Sequence, residues 1–458
     1  MQARLRRDNR ETIGRHMQLY PNQQDLPAKI CGTYPRRLTS RLRSRAAWQR
    51  QSLERPILAI LVVVGLVCPW TQGASDDSTA LVVNGNDAVA FRLYAHLAKT
   101  DGNLVFSPLG ISMALAMTAA GASGNTLEEM RHALAVRQAD ADYHAAFSSL
   151  TAKIGEDAQK NGVALRIRNS LWLDYALPVQ PTYMNIVEQK YRANLFTVDF
   201  ANGAAVSKQI NTWASEATSG RLSQMVDETM FSRDTRLLLL NTVFFRGTWT
   251  CRFPRSNTRL VPFHLTPTRS VPVPMMYQKT MAGYVAEPAV SALELPYAQG
   301  GFSMVLLLPA RKDGLRELEA SLTIAQVETL LHQLRPIEVD VYIPRFTFGS
   351  DLPLNAILDD MGMRDAFQSA ADFSRISSGG GLHVSAVRHC AGIVVDEEGT
   401  TAWAGTMVQG TEGRPDIPPV FLADHPFLFI ILEKSSGTIL FMGRVADPST
   451  GRVVISRN

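Results

Sequence analysis

A thiol and an imidazole stand side by side at His389 and Cys390, within a run of apolar and β-branched residues. A cysteine and a histidine that meet in space can act as the nucleophile and base of a covalent catalyst. Successive side chains of a β-strand point to opposite faces, so these two neighbours cannot be partners if the run is a strand. The pattern favours a buried, inert thiol beside a hydrogen-bonded histidine. A hydrolase that pairs Cys390 with a distant histidine is the alternative from another class.

Sequence signatures of common catalytic and metal sites are absent. The chain contains no G-x-S-x-G, P-loop, H-E-x-x-H or C-x-x-C motif. Its nine histidines show no metal-ligand spacing. Gly379, Gly380 and Gly381 precede no helix pattern and predict a turn rather than a phosphate-binding loop. We therefore predict no catalytic residue, no metal site and no cofactor, which leaves binding or inhibition.

Positive charge is concentrated at the start of the 458-residue chain. Residues 1–55 hold thirteen Lys/Arg and four Asp/Glu, a net charge of +9, whereas the whole chain carries +4, so the remainder sums to −5. The whole chain is 46% apolar, which is typical of a folded protein. Because the basic excess belongs to the leader, we predict that the body does not bind nucleic acid.

An apolar run of twelve residues, 56–67, follows the basic leader. It is shorter than the roughly 20 residues of a membrane span. With the small residues up to position 74 it matches a secretory signal, so we expect residues 56–74 to be removed and no stable membrane insertion afterwards. A membrane-anchored helix and a lipoprotein signal at Cys68 are the alternatives. The leader is long for a signal, which points to a start codon further downstream.

Export is expected to place the protein in the periplasm or the extracellular space. After cleavage only Cys251 and Cys390 would remain, which is no disulfide framework, so the core must be stable by burial. The chain also has no Asn-x-Ser/Thr sequon. This combination favours a bacterial envelope or secreted protein.

No repeat or Pro/Gly linker divides residues 80–450, so we predict a single domain there. In its first half Val89, Leu93 and Leu97 share one face of a helix. Thr126 and Glu129 have capping-box spacing at the start of another. The second half contains short apolar runs typical of strands, several buried on both faces, at 237–245, 302–309, 337–343, 392–395 and 427–432. Helices followed by strands predict an α+β fold around a large sheet.

Eight sequence blocks, in order along residues 80–450, resemble those of the serpin family. The blocks are NLVFSPL at 103–109 with ALAM at 114–117, NTVFFRGTW at 241–249, VPMM at 273–276, LELPY at 293–297, PRF at 344–346, GMRDAF at 362–367 with ADFS at 371–374, DHPFLF at 424–429 and ILFMGRV at 439–445. The resemblance implies the serpin fold, with three β-sheets, about nine helices and an exposed reactive loop near the C-terminus, at about residues 397–419.

The resemblance also implies a mechanism of protease inhibition. A serine protease cleaves the loop, the loop inserts into the large sheet as a new strand, and the trapped acyl-enzyme is distorted. The hinge residues would be Glu397, Glu398 and Gly399. Among the inserting residues, one alternate set begins with Thr400, Ala402 and Ala404, all small and uncharged, whereas Trp403 falls in the other set. Small uncharged residues suit burial in a sheet, so we predict an inhibitor. A non-inhibitory binding or carrier serpin is the alternative.

Opening of the sheet is controlled in this family by a polar cluster called the shutter. The resemblance assigns Ser107, Asn241 and His389 to the shutter, and Trp249 to the top of the sheet, where the loop enters. A further shutter position, usually serine, is Gly110, which predicts a thinner or water-filled network.

The scissile bond determines the target, and two counts disagree on its position. Counting forward from Glu397 reaches Gly413, and counting back from Ile417 reaches Pro415. The scissile region is therefore Glu412, Gly413, Arg414 and Pro415. Arg414 would suit a trypsin-like serine protease, although Pro415 follows it.

Other cleavage positions point to other proteases. Cleavage at Glu412 or Gly413, or near Met407 and Val408, would indicate acidic-specific, elastase-like or chymotrypsin-like enzymes. Cysteine proteases are a second target class. We expect the protein to be a monomer.

Overall fold

The computed structural model describes residues 77–450 apart from 137–139, 219, 221–223 and 400–417. Within these residues the chain forms nine α-helices and fourteen β-strands. The helices are α1 (Asp77–Leu97), α2 (Pro108–Ala119), α3 (Gly124–Ala133), α4 (Asp140–Lys160), α5 (Pro181–Tyr191), α6 (Gly203–Ala217), α7 (Leu315–Ser321), α8 (Ile324–Gln333) and α9 (Asn355–Asp360). The strands are β1 (Leu104–Phe106), β2 (Ala164–Asp174), β3 (Asn194–Val198), β4 (Leu237–Arg246), β5 (Arg259–Thr266), β6 (Arg269–Ala286), β7 (Val290–Tyr297), β8 (Phe302–Pro309), β9 (Arg335–Pro344), β10 (Phe346–Pro353), β11 (Val384–Val395), β12 (Val420–Leu422), β13 (Phe427–Glu433) and β14 (Ile439–Val445).

The strands form two hydrogen-bonded sheets in an α+β architecture. The five-stranded sheet has the order β10-β11-β4-β2-β3. The nine-stranded sheet has the order β1-β14-β13-β8-β7-β6-β9-β12, with β5 paired to β6. Strand β6 is 18 residues long, and it pairs with β5 near its start and with β7 near its end. Because β6 joins β5 to β7 in one hydrogen-bonded sheet, the described strands form two sheets where three were expected.

The strands predicted from uninterrupted apolar runs lie in the core. Every residue of β8 and β13 is buried, because these neighbouring strands are covered on both faces. Strand β11 begins at Val384, eight residues before the predicted start at 392. Its first half contains Arg388 and His389, and these polar side chains are compatible with a strand because each has a partner on a neighbouring element.

Helix α3 begins before the predicted capping box. Its N-cap is Ser123, so Thr126 lies inside the helix. The Thr126 hydroxyl donates to Asp365 and accepts from the backbone N–H of Asp372. Glu129 accepts from the backbone N–H groups of Arg364 and Asp365 at 2.7 and 2.6 Å. Both side chains therefore bind a distant loop instead of capping their own helix.

Helices α1 and α2 pack into the main core. The helical face predicted on α1 is buried: Val89 and Leu93 are 0% exposed and Leu97 is 6% exposed. A smaller cluster lies on the other face of the five-stranded sheet, where α6 covers Trp172, Leu238 and Leu240. None of the described helices is long and apolar enough to span a membrane.

Candidate functional site: the loop hinge and the opening of the five-stranded sheet

The five-stranded sheet is closed at one end of its central strand pair and open at the other. Strands β4 and β11 run parallel and pair from Leu237 and Val384 up to Val243 and Ala391. Above that level β4 still pairs with β2 through Arg246, and β11 with β10 through Val395. Over the described residues, β4 and β11 make no ladder with each other beyond Val243 and Ala391. The opening could admit a strand that runs between them.

A tight turn lies at the mouth of this opening. Asp396 and Gly399 exchange both backbone hydrogen bonds, at 3.1 and 3.2 Å. Glu397 and Glu398 are the two residues between them. Gly399 also forms an antiparallel bridge with Thr248, just beyond the end of β4. The chain has therefore reversed direction by Gly399 and starts to pair with the extension of β4.

Glycine is required at position 399 for two reasons. Its φ is +122°, a conformation that residues with a side chain rarely adopt. A Cβ there would lie 2.4 Å from the backbone nitrogen of Trp249 and 2.6 Å from the carbonyl oxygen of Gly247. These are backbone atoms of the β4 extension, so a larger residue would push the turn out of the mouth.

Glu397 is buried in an ion pair with Arg345. Its side chain is 3% exposed, and Arg345 Nε lies 2.8 and 2.7 Å from its two carboxylate oxygens. The Thr258 hydroxyl donates to the same carboxylate. Burial raises the pKa of Glu397, but the hydrogen bonds from Arg345 and Thr258 outweigh that effect and hold the pKa below its ordinary value. The carboxylate is therefore ionised and holds the first predicted hinge residue against Arg345, the residue that joins β9 to β10.

Glu398 makes a second, more exposed set of ion pairs. Its carboxylate lies 3.2 Å from Arg252 and 3.2 Å from Arg255. Its side chain is 21% exposed. The sequence assigned the hinge acids but not their four partners, Arg252, Arg255, Thr258 and Arg345. Two features of the sequence could have pointed to these partners: Arg345 lies in the family block PRF, and a basic segment follows Trp249.

Trp249 lies directly beneath the turn. It is 3% exposed and stacks on Tyr297 with ring centroids 4.6 Å apart. Its indole N–H donates to the carbonyl of Asp396 at 3.0 Å, and its backbone N–H donates to the carbonyl of Glu398 at 3.1 Å. Trp249 thus contacts the hinge at both ends of the turn, at the position where the resemblance put the loop entrance.

The three predicted shutter residues meet below the opening. The backbone N–H of Ser107 donates to Nε2 of His389 at 2.9 Å. Since that nitrogen accepts, Nδ1 carries the proton and donates to Oδ1 of Asn241 at 2.6 Å. Asn241 in turn donates to Oδ1 of Asn169 at 2.7 Å. This chain joins α2, β11, β4 and β2 across the sheet, and sequence reasoning did not identify Asn169.

Gly110 leaves no gap in this network. A Cβ at position 110 would lie 2.4 Å from Oδ1 and 2.9 Å from Nδ2 of Asn241. The Asn241 amide therefore occupies the space that a larger residue at 110 would need. Position 110 therefore adds no hydroxyl to the network, and the space beside it is filled by Asn241 rather than left open.

Histidine 389 gives the native state a definite pH dependence. Burial lowers its pKa to about 3, whereas an unfolded histidine titrates near about 6.5. The stabilisation from the neutral ring is fully present above pH 6.5 and is lost as the pH falls toward 3, by up to about 1.4 kcal/mol per pH unit. Urea unfolding from pH 7 to pH 4 should show a steeper loss for the wild type than for His389→Gln. Parallel curves for the two proteins would contradict this assignment.

His389 and Cys390 lie on opposite faces of β11. His389 points to the shutter, whereas Cys390 packs in the cluster under α6, with its sulfur 3.4 Å from Oδ1 of Asp351. Burial, followed by the neighbouring carboxylate of Asp351, raises the pKa of the Cys390 thiol. A thiol that resists ionisation does not suit the hydrolase alternative. Among the described residues no group of His, Cys, Asp and Glu side chains could hold a metal ion.

The remaining predicted site residues lie outside the described residues. These are Thr400, Ala402 and Ala404 of the hinge, and Glu412, Gly413, Arg414 and Pro415 of the scissile region. Their roles stay predictions.

Comparison with known proteins agrees with this geometry. Residues 84–448 match the family model described as Serpin (serine protease inhibitor). The chain is 38% identical over 375 residues to an uncharacterized serpin-like protein of Thermococcus kodakarensis, covering 81% of this chain and 86% of that protein. It is 35% identical to the leukocyte elastase inhibitor of Xenopus tropicalis, covering 76% and 93%. The crystal structure of human thyroxine-binding globulin complexed with thyroxine superposes with a TM-score of 0.75 at 27% identity, covering 81% and 99%. The chain therefore belongs to the serpin family of serine protease inhibitors.

Proposed function

We propose that this protein inhibits serine proteases by cleavage of its reactive loop and insertion of the cut loop between β4 and β11. The observation that carries the proposal is the hinge turn at the mouth of the open strand pair, where Gly399 already bridges Thr248. The protease performs the chemistry, because its serine attacks the loop and its acyl-enzyme is trapped. This chain would supply no catalytic residue. Its contribution is a native state that can convert to a more stable one.

Sequence features of the loop support insertion. Thr400, Ala402 and Ala404 carry no charge and little volume, so they can enter a buried sheet face at low cost. The leukocyte elastase inhibitor among the relatives is named for its inhibition of a protease. A non-inhibitory binding or carrier protein is the second candidate, and the structural similarity to thyroxine-binding globulin favours it.

One experiment separates the two candidates. The purified protein is incubated with trypsin-, chymotrypsin- and elastase-like enzymes and then analysed on denaturing gels. We expect a complex that survives denaturation, and a cleaved form with a higher Tm. Clean cleavage without a complex and without a rise in Tm would rule out inhibition by insertion and favour the carrier candidate.

A pair of substitutions tests the direction in which the inserting side chains point. Thr400→Arg is expected to abolish the denaturation-resistant complex while leaving the loop cleavable, because a charge would have to enter the buried face of the sheet. Thr401→Arg, which changes the alternate set, is the matched control and should retain most of the complex. The measurement is the fraction of protease trapped per molecule cleaved. Equal trapping by the two variants would show that the inward face is assigned wrongly.

The target class follows from the position of the cut. Arg414 favours a trypsin-like protease, whereas cleavage near Met407 and Val408 would agree with the elastase inhibitors among the relatives. The mass of the released C-terminal peptide identifies the scissile bond.

We further propose that the protein is exported, with residues 56–74 as the signal region. Sequencing the N-terminus of the protein recovered outside the cytoplasm tests this.

A further inference from the structure

Asp424 and His425 connect β12 to β13 at a junction of three parts of the nine-stranded sheet. The backbone N–H of His264, on β5, donates to the Asp424 carbonyl at 2.7 Å. Pro309, the last residue of β8, faces the same connection. The side chain of His425 is 8% exposed. The junction therefore ties the strand that follows the reactive loop to the centre of the sheet.

Both ring nitrogens of His425 face atoms that accept hydrogen bonds. Nδ1 lies 2.7 Å from Oδ1 of Asp424, and Nε2 lies 2.8 Å from the carbonyl oxygen of Pro309. A neutral imidazole has a single N–H. In either neutral tautomer one of these contacts would bring two lone pairs together at less than 3 Å. Only the imidazolium donates at both positions.

The charges around the junction keep Asp424 ionised. Burial raises the pKa of Asp424, but the hydrogen bond from His425 and the charges of Lys312 and His264 outweigh burial and hold the pKa below its ordinary value. Lys312, on the connection after β8, lies 3.5 Å from the carboxylate, and Nε2 of His264, on β5, lies 3.8 Å away. An ionised carboxylate can only accept, so it cannot supply the proton that His425 lacks when neutral.

We propose that His425 is a positioning residue for β12, and that it holds this strand to β8 only while its imidazole carries both protons. Loss of either proton would leave one of the two acceptors without a donor, so the stabilisation is present on the acid side and is lost as the pH rises. This sign is opposite to that of His389. We call the two contacts of His425, with Asp424 and with Pro309, the His425 clamp. The clamp is a property of the native fold and does not depend on whether the protein inhibits a protease.

The test compares the wild type with His425→Arg between pH 5.5 and 8.5. A guanidinium stays charged over this range and can donate at both positions. We expect the unfolding equilibrium of the wild type, relative to His425→Arg, to shift toward the unfolded state as the pH rises through this range, by up to tenfold per pH unit. The contribution of His389, which lies in the other sheet, is common to both proteins and cancels in the comparison. Parallel pH curves would overturn the proposal.

A local readout separates the clamp from a general effect on stability. The backbone N–H of Ala423 donates to the carbonyl of Tyr342 at 2.9 Å and reports the docking of β12 on β9. Its hydrogen exchange should accelerate at alkaline pH more than that of an amide within β14, in the wild type but not in His425→Arg.

Direct observation of the ring does not require a foldable variant. Nitrogen-15 NMR of labelled histidine, at pH 7.5, where a free imidazole is mostly neutral, should show both nitrogens of His425 protonated, with the signal assigned by its loss in His425→Gln. If the arginine variant does not fold, this spectrum decides. A single protonated nitrogen at pH 7.5 would overturn the proposal.

Discussion

Glu397→Lys is expected to destabilise the native state by about 3 to 5 kcal/mol and to open the sheet at its mouth. Glu397 is 3% exposed and Arg345 is 42% exposed, so a lysine at position 397 would be a buried charge without a partner. The lysine would also face Arg345 as a like charge. Both effects release the turn from Arg345, the residue that joins β9 to β10.

The measurement is the Tm together with the appearance of oligomers on native gels, because an opened sheet exposes unpaired strand edges. Glu398→Lys is the matched control. Glu398 is 21% exposed, and its partners Arg252 and Arg255 are 25% and 71% exposed, so solvent screens these pairs more than the Glu397 pair and a smaller loss of about 1 kcal/mol is expected. Equal losses for the two variants would mean that the Glu397 pair has no special role in holding the hinge.

Gly399→Ala is expected to have the second largest effect, roughly 3 kcal/mol, since strain at positive φ and a backbone clash add together. The methyl group would lie 2.4 Å from the Trp249 nitrogen, and the β4 extension cannot move without breaking its own hydrogen bonds. The turn should therefore leave the mouth, and insertion of the cut loop should become slower.

Gly102→Ala separates the two causes. Gly102 has a φ of +94°, and a Cβ there would meet nothing within 4 Å. It shares the backbone strain without the clash, so about 1 kcal/mol is expected. Hydrogen exchange of the Phe253 amide, which donates to the Glu397 carbonyl at 3.0 Å, reports whether the turn is in place. Unchanged protection of Phe253 in Gly399→Ala would contradict the proposed fit.

Elements that depend on local pattern were predictable from the sequence. The apolar run at 302–309 became β8 with the predicted bounds, because a strand buried on both faces has no polar positions. The buried face of α1 followed from the spacing of Val89, Leu93 and Leu97. Burial depends on each residue and its near neighbours in the chain, so periodicity records it.

Elements that depend on distant partners were not predictable in this way. The capping-box spacing of Thr126 and Glu129 was misleading, because both side chains bind a loop more than 230 residues away. The first half of β11 was missed because the partners of Arg388 and His389 lie on β10 and β4. From the sequence alone a polar residue is predicted to be exposed, because its hydrogen-bond partner in the fold is not known.

The sequence by itself determined the family, and it predicted the two hinge acids and the small uncharged residues that follow them. The tertiary structure decided what those acids do. It brought Glu397 to Arg345 across 52 positions and Glu398 to Arg252 and Arg255, and it seated Gly399 against the extension of β4. It also set two acceptors around His425. Ion pairs and proton positions depend on which distant atoms meet, and only the folded chain determines that.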